Sequence, residues 1–141
     1  MPTPFDTVYN MFLPDITDGT FLDFEVDDRE DILHDLLIKA ITRFKACQKD
    51  LSDRDEVLKQ FNETLTEEEI FILATCMKKP WFSNKIYNLE LIRQRMSVRD
   101  WNLTSQAEHL LRLTVLNQEL DKEISRMIVD YTVYNCKVNG E

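Results

Sequence analysis

Leu65-Thr66-Glu67-Glu68-Glu69-Ile70-Phe71-Ile72-Leu73-Ala74-Thr75-Cys76-Met77 opens with a complete helix-start signal and runs straight into an uncharged, mostly apolar segment. Thr66 takes the N-cap position and Glu69 the third helical position, the two halves of a capping box. Leu65 and Ile70 occupy the two positions of a hydrophobic staple. The three glutamates also suit the positive end of the helix dipole. A helix that is apolar nearly all round is buried on most sides. This one, over about 67–79, therefore reads as the central core helix, with no face left for a partner. Lys78 and Lys79 close it, and Pro80 is expected to stop it.

A second start signal, Ser105-Gln106-Ala107-Glu108, launches an amphipathic pattern over about 105–134. Leu110, Leu113, Leu116, Leu120, Ile124, Met127, Ile128, Tyr131 and Tyr134 form one stripe. Glu108, Arg112, Glu119, Glu123, Arg126 and Asp130 share the solvated side. A second apolar edge comprises Leu111 and Val115 near one end and Val129 and Val133 near the other. Such a helix spans roughly 45 Å, whereas a compact domain of this length is only about 37 Å across. It must break, cross the whole domain or project into a neighbour.

Working outward, Leu33, Leu36, Leu37, Ala40, Ile41, Phe44 and Cys47 recur at 3.6-residue spacing and predict a helix over about 28–47, capped by Asp27 or Asp28. Thr3 is placed to cap a short N-terminal helix that begins at Pro4 and carries Phe5, Val8, Tyr9 and Phe12 on one face. Residues 15–26 read as an acidic connector whose Phe21, Leu22 and Phe24 need burial. Residues 48–64 lack a sustained period and predict a long ordered loop, with a short extended piece near Val57–Phe61. A loop of this length is either functional or a surface excursion pinned by Phe61. A shorter helix is expected near 85–96, and Ser97 with Asp100 marks another short turn before Trp101. With two glycines and four prolines in 141 residues, there is little material for hairpins. The fold class is all-α: a small helical bundle with a long C-terminal helix and an ordered loop at about 48–64. The expected division is an acidic segment over 1–27 with its short helix, a helical domain over 28–135, and a flexible tail over 136–141.

The net charge of −9 is unevenly spread. Residues 1–35 hold ten acids against one base, Arg29, while residues 36–141 hold sixteen of each. The acidic quarter disfavours nucleic-acid binding on that surface. It reads either as a solvated edge or as a surface that meets a basic partner or lines a passage for a polyanion. No segment approaches the roughly twenty apolar residues of a membrane span. Without the basic and apolar regions of a signal peptide at Met1–Asp6, the chain is expected to be intracellular when made. Cys47, Cys76 and Cys136 are odd in number and contain no CxxC; Cys47 and Cys76, at apolar positions of helical patterns, read as small buried hydrophobes in a reducing compartment. The sequons at Asn62 and Asn102 are then chance.

No catalytic constellation emerges, and no cofactor or metal is expected. His34 stands between Asp31 and Asp35, a spacing common by chance in an acidic segment. His109 has no motif linking it to either Cys47 or Cys76. Gly19 and Gly140 build no phosphate-binding loop. Glu67–Glu69 are accounted for by the helix start, and the basic residues do not alternate with aromatics as in a nucleic-acid groove. Trp81, Phe82 and Trp101, at helix junctions, are either core anchors or interface hot spots. Together with Leu111, Val115, Val129 and Val133 they make up the candidate interface set.

The order of several segments resembles a known group. They are Asp50-Leu51-Ser52-Asp53-Arg54-Asp55, then Phe61-Asn62-Glu63-Thr64-Leu65-Thr66-Glu67-Glu68-Glu69-Ile70 with Ile72-Leu73-Ala74, Met77 and Trp81. Asp100-Trp101, Ser105-Gln106-Ala107-Glu108-His109-Leu110 and Tyr131-Thr132-Val133-Tyr134-Asn135 follow. This series, covering about Asp31 to Asn135, is similar to small virion proteins of tailed bacteriophages and Gram-positive prophages, the head–tail connector (neck or adaptor) group. The resemblance implies an all-helical, non-enzymatic subunit of a dodecameric ring at the head–tail junction of the virion, assembled in the host cytoplasm. Its partners would be the portal protein and a tail-side neck or tail-terminator protein. DNA would pass through the ring without sequence-specific binding, and no membrane would be involved. The alternative is a small helical regulatory or adaptor protein that binds one protein partner; a Cys-dependent enzyme is a third reading.

Overall fold

The computed structural model describes residues 1–15 and 26–138. The fold is mostly α. The helices are α1 (Phe5–Phe12), α2 (Val26–Arg43), α3 (Glu67–Gln94), α4 (Val98–Asn102) and α5 (Ser105–Val138); an ordered loop links α2 to α3, and short turns link α3, α4 and α5. The expected connector at 15–26 and the end of the expected tail lie largely outside the described residues.

The capping box forms as the sequence dictates: Thr66 Oγ1 accepts from Glu69 N–H and Glu69 Oε1 accepts from Thr66 N–H. From there α3 buries Ile70, Ile72, Leu73, Ala74, Thr75, Cys76 and Met77. Phe71 departs from the expected full burial: it is 45% exposed.

Helix α3 also does not stop at Pro80. It runs for 28 residues with the proline inside it, so the two helices expected at 67–79 and 85–96 are one. Proline removes one backbone donor, which normally breaks or kinks a helix. Here tertiary packing holds both flanks. Met77 is fully buried before the proline. After it, Trp81 packs edge-on against Phe12, with ring centroids 6.5 Å apart, and Lys85 lies over the Trp81 ring at 4.9 Å. Lys79 Nζ donates to the Asn117 carbonyl of α5 at 3.3 Å.

Two expected caps are reassigned. Thr3 does not cap α1; it sits in a strand, donating its hydroxyl to the Glu63 carbonyl and accepting from Leu65 N–H. At α5, Thr104 rather than Ser105 accepts from the first turn, at Ala107 N–H. Ser97 caps α4 through Asp100 N–H, as its position implies.

The loop after α2 forms a hairpin that pairs with the N-terminal strand in a small antiparallel sheet of order β1-β3-β2, built from β1 (Thr3–Pro4), β2 (Arg54–Asp55) and β3 (Gln60–Phe61). Thr3 pairs with Phe61 and Arg54 with Phe61 on the other side. The hairpin turns without glycine. Asp55 Oδ1 accepts from both Val57 and Leu58 N–H at 2.9 Å, and Lys59 takes the left-handed conformation with φ 55°. A left-handed lysine is costly, and this local solution left no turn signal in the sequence.

One core unites α1, α2, the first half of α3 and the second half of α5. Phe5, Val8, Tyr9 and Phe12 of α1 are buried in it alongside Leu37, Ala40, Leu73, Met77 and Ile124. Among the buried residues is a carboxylate, Glu69. Glu69 Oε2 accepts from the Tyr131 hydroxyl at 2.6 Å and from the Cys47 thiol at 3.4 Å, while Tyr131 Oη accepts from Gln48 N–H. The side chain that caps α3 therefore also clamps the end of α5 and the exit of α2.

Candidate interaction surface

Helices α3 and α5 run about 42 and 51 Å, against a compact diameter of about 37 Å. The main core reaches only as far as Trp81 on α3 and begins again at Leu120 on α5. Beyond those points the second half of α3, α4 and the first half of α5 form an antiparallel helical arm. Its own interior is small, comprising Trp101, Leu110 and Leu113, buried apart from the main core. The arm is braced at its base where Arg43 of α2 donates to Ser125 Oγ at 3.0 Å and meets Asp121 at 3.4 Å.

The arm is rich in exposed apolar side chains. Val98, Leu103 and Leu111 are 78, 79 and 70% exposed, and Tyr87, Leu91, Ile92 and Val115 are exposed beside them. Near the tip, a cleft of about 550 Å³ is lined by Met96, Val98, Trp101, Leu110 and Leu111, with Glu90 and Arg93 at its rim. That volume is in the range of ordinary binding clefts, about 300–1,000 Å³. Val98 and Leu111 line this cleft together, and exposed apolar side chains that meet in this way mark interaction sites in otherwise polar proteins.

Of the candidate interface residues, Trp81 and Trp101 are buried and anchor α3 and α4 respectively, and Phe82 is half-buried against the main core. Leu111, Val115, Val129 and Val133 are exposed. Leu111 and Val129, like Val115 and Val133, are eighteen residues apart, which is about five helical turns. All four thus share the face of α5 turned away from the core. Leu116 and Tyr134, placed on the core stripe by periodicity, are also exposed. The arm cleft had no sequence signal, because it exists only once α4 folds back across the ends of two helices.

His34 Nε2 lies 2.7 Å from Glu56 Oε2 in a pocket of about 200 Å³ between α1, α2 and the hairpin. His109 is exposed on the arm, while Cys76 is buried in the body. Among the described residues no group of three or more His, Cys, Asp or Glu side chains could hold a metal ion. No helix among them is long and apolar enough to cross a membrane. Burial pushes the Cys76 thiol up to about 12 and the Cys47 thiol up to about 11. Both stay protonated and unreactive near neutrality. In a Cys136→Ser background, a thiol reagent at pH 8 is expected to label the folded protein hardly at all, and fully once urea unfolds it. Fast labelling of the folded chain would contradict the burial of Cys76 and the partial burial of Cys47.

A family model described as YomZ prophage protein matches residues 1–133. No curated protein and no solved structure matches the chain.

Proposed function

The chain belongs to the YomZ prophage protein family, and from that premise we propose that it is a structural part of the phage particle, a subunit of the head–tail connector ring that joins portal to tail. The observation that carries this reading is the arm. A helical hairpin that leaves the core and displays Val98, Leu103, Leu111 and Val115 to water is incompletely buried in a single copy. Assembly would cover it, and coverage of apolar surface is the main driving force for association. The acidic quarter over residues 1–35 suits a wall past which DNA slides, since like charge repels the phosphate backbone. In this role the chain acts through its surfaces and has no catalytic residues.

Native mass spectrometry and negative-stain microscopy, on the chain alone and mixed with the portal protein of the same prophage, test the proposal. Rings, or a stoichiometric complex with the portal, are the expected result. A chain that stays monomeric and ignores the portal would leave the connector reading without support and favour an adaptor that uses the same arm on another protein.

A further inference from the structure

The small pocket between α1, α2 and the hairpin is assembled from three segments far apart in the chain. Asp6 and Tyr9 stand one turn apart on α1, Glu30, Asp31 and His34 lie within about one turn on α2, and Glu56 and Lys59 flank the hairpin tip. Four carboxylates thus line it against the ammonium of Lys59. Glu30 meets Lys59 at 2.5 Å, and Glu56 meets Arg54 and His34 at 2.7 Å each, which fixes the hairpin side of the rim. Asp6 and Asp31 have no hydrogen bond or ion pair among the described residues. Carboxylates alone would make this an acidic edge, but the floor adds a second feature. Tyr9 is only 6% exposed, yet its hydroxyl has no hydrogen-bond partner among the described residues. Buried polar groups are nearly always paired. Burial first, then the Asp6, Glu30 and Glu56 carboxylates, hold the phenol well above its ordinary value, which places the hydroxyl within their field. An acceptor oxygen with no donor therefore lies at the bottom of an electronegative pocket.

We propose that this pocket receives the guanidinium group of an arginine side chain from a partner polypeptide. Its volume of about 200 Å³ lies below the roughly 300–1,000 Å³ of clefts that take whole small molecules, and suits the head of one side chain. Among the described residues no group of three or more His, Cys, Asp or Glu side chains could hold a metal ion, so the acceptors suit a cation with spread-out donors. Guanidinium is planar and carries five N–H donors, enough to address Asp6, Asp31 and Tyr9 Oη together, whereas an ammonium is a compact point charge. Its bonds to carboxylates are charge-assisted, and stronger than those between neutral groups. Lys59 does not fill the site itself, since its side chain is 57% exposed at the edge. The negative rim repels a carboxylate such as that of free arginine, which favours an arginine within a chain. The site is a property of this chain and does not depend on the connector reading.

Titration of the isotope-labelled full chain with N-acetyl-arginine amide, followed by two-dimensional NMR, tests it. Saturable shifts are expected at the backbone amides of Asp6, Tyr9, Glu30, Asp31 and Glu56. N-acetyl-citrulline amide, the neutral isostere, should give none, and N-acetyl-lysine amide should bind at least several-fold more weakly. Tyr9→Phe removes only the unpartnered hydroxyl, so its urea midpoint should equal or exceed that of wild type. It should nevertheless bind arginine amide several-fold more weakly. Asp31→Asn, at an exposed position, should also keep the fold and weaken binding, as should added salt. Shifts that never saturate, an equal response to citrulline amide, or full affinity in Tyr9→Phe would overturn the site. Equal binding of lysine amide would overturn the guanidinium assignment. Tighter binding of free arginine than of its amide would overturn the polypeptide source. Portal binding and ring formation are scored separately, so the pocket and the connector reading fail independently.

Discussion

Phe61→Ala is expected to destabilise the protein by about 3–5 kcal/mol, the cost of truncating a large buried aromatic and leaving a cavity. The side chain is fully buried, and its ring meets that of Phe5 edge-on with centroids 5.0 Å apart. Phe61 is also the strand residue paired on both sides, with Thr3 and with Arg54. Its loss therefore loosens α1, the three-stranded sheet and the hairpin together. Domains of this size have a net stability of about 5–15 kcal/mol, so the variant should lie close to the edge of unfolding. Val57→Ala, four residues away on the exposed tip, should change stability by no more than about 0.5 kcal/mol. Urea denaturation followed by circular dichroism separates the two. Equal midpoints for both variants would mean that the loop is not part of the core.

Glu69→Ala ranks second, with an expected cost of about 2–4 kcal/mol. A hydrogen bond to a charged group contributes about 1.5–3 kcal/mol, and a buried group left without its partner is costly in its own right. The substitution removes the acceptor of the Tyr131 hydroxyl, the Cys47 thiol and Thr66 N–H in one step. Glu69→Gln is more informative, because it keeps the shape and removes the charge. Burial alone would raise this carboxyl. The hydrogen bonds from Thr66 N–H, Tyr131 and Cys47, with Lys49 nearby, outweigh it and hold the group below its ordinary value of 4.5. A depressed folded-state pKa gives stability that is fully present above the unfolded value and is lost as the pH falls through the folded one. Wild type should thus lose stability below about pH 4.5 faster than Glu69→Gln, and the gap between them at pH 7 should close in acid. A constant gap from pH 7 down to pH 3 would show that the Glu69 charge is not what joins α3 to α5.

Much of the helical framework was legible in the sequence because its signals are local. The Thr66–Glu69 capping box, the Ser97 cap, the 3.6-residue stripe of α2 and the apolar face of α1 each involve residues within about one or two helical turns. The same logic failed at Pro80. A proline is a stop signal only if nothing else holds the helix, and here Trp81 packed on Phe12 and Lys79 bound to Asn117 hold it. It failed at Thr3 because a threonine before a helix is a cap by default, whereas this one is bound to Glu63 and Leu65, sixty residues away. The hairpin was unreadable because Lys59, not glycine, takes its left-handed position.

The candidate surface divides along the same line. The excess length of α5 and the second apolar edge of Leu111, Val115, Val129 and Val133 follow from periodicity and the rise per residue, so the sequence by itself determined that this helix would break, cross the whole domain or project from it. Which helix would accompany it, where the core would end, and that Trp101 would close a cleft beside Val98 were decided by tertiary structure. Those features depend on contacts between segments far apart in the chain, and no local pattern encodes the side of a helix that a distant neighbour leaves uncovered. The buried Glu69–Tyr131 clamp belongs to the same class. Its capping half was written in four consecutive residues, and its partner lay sixty-two positions away.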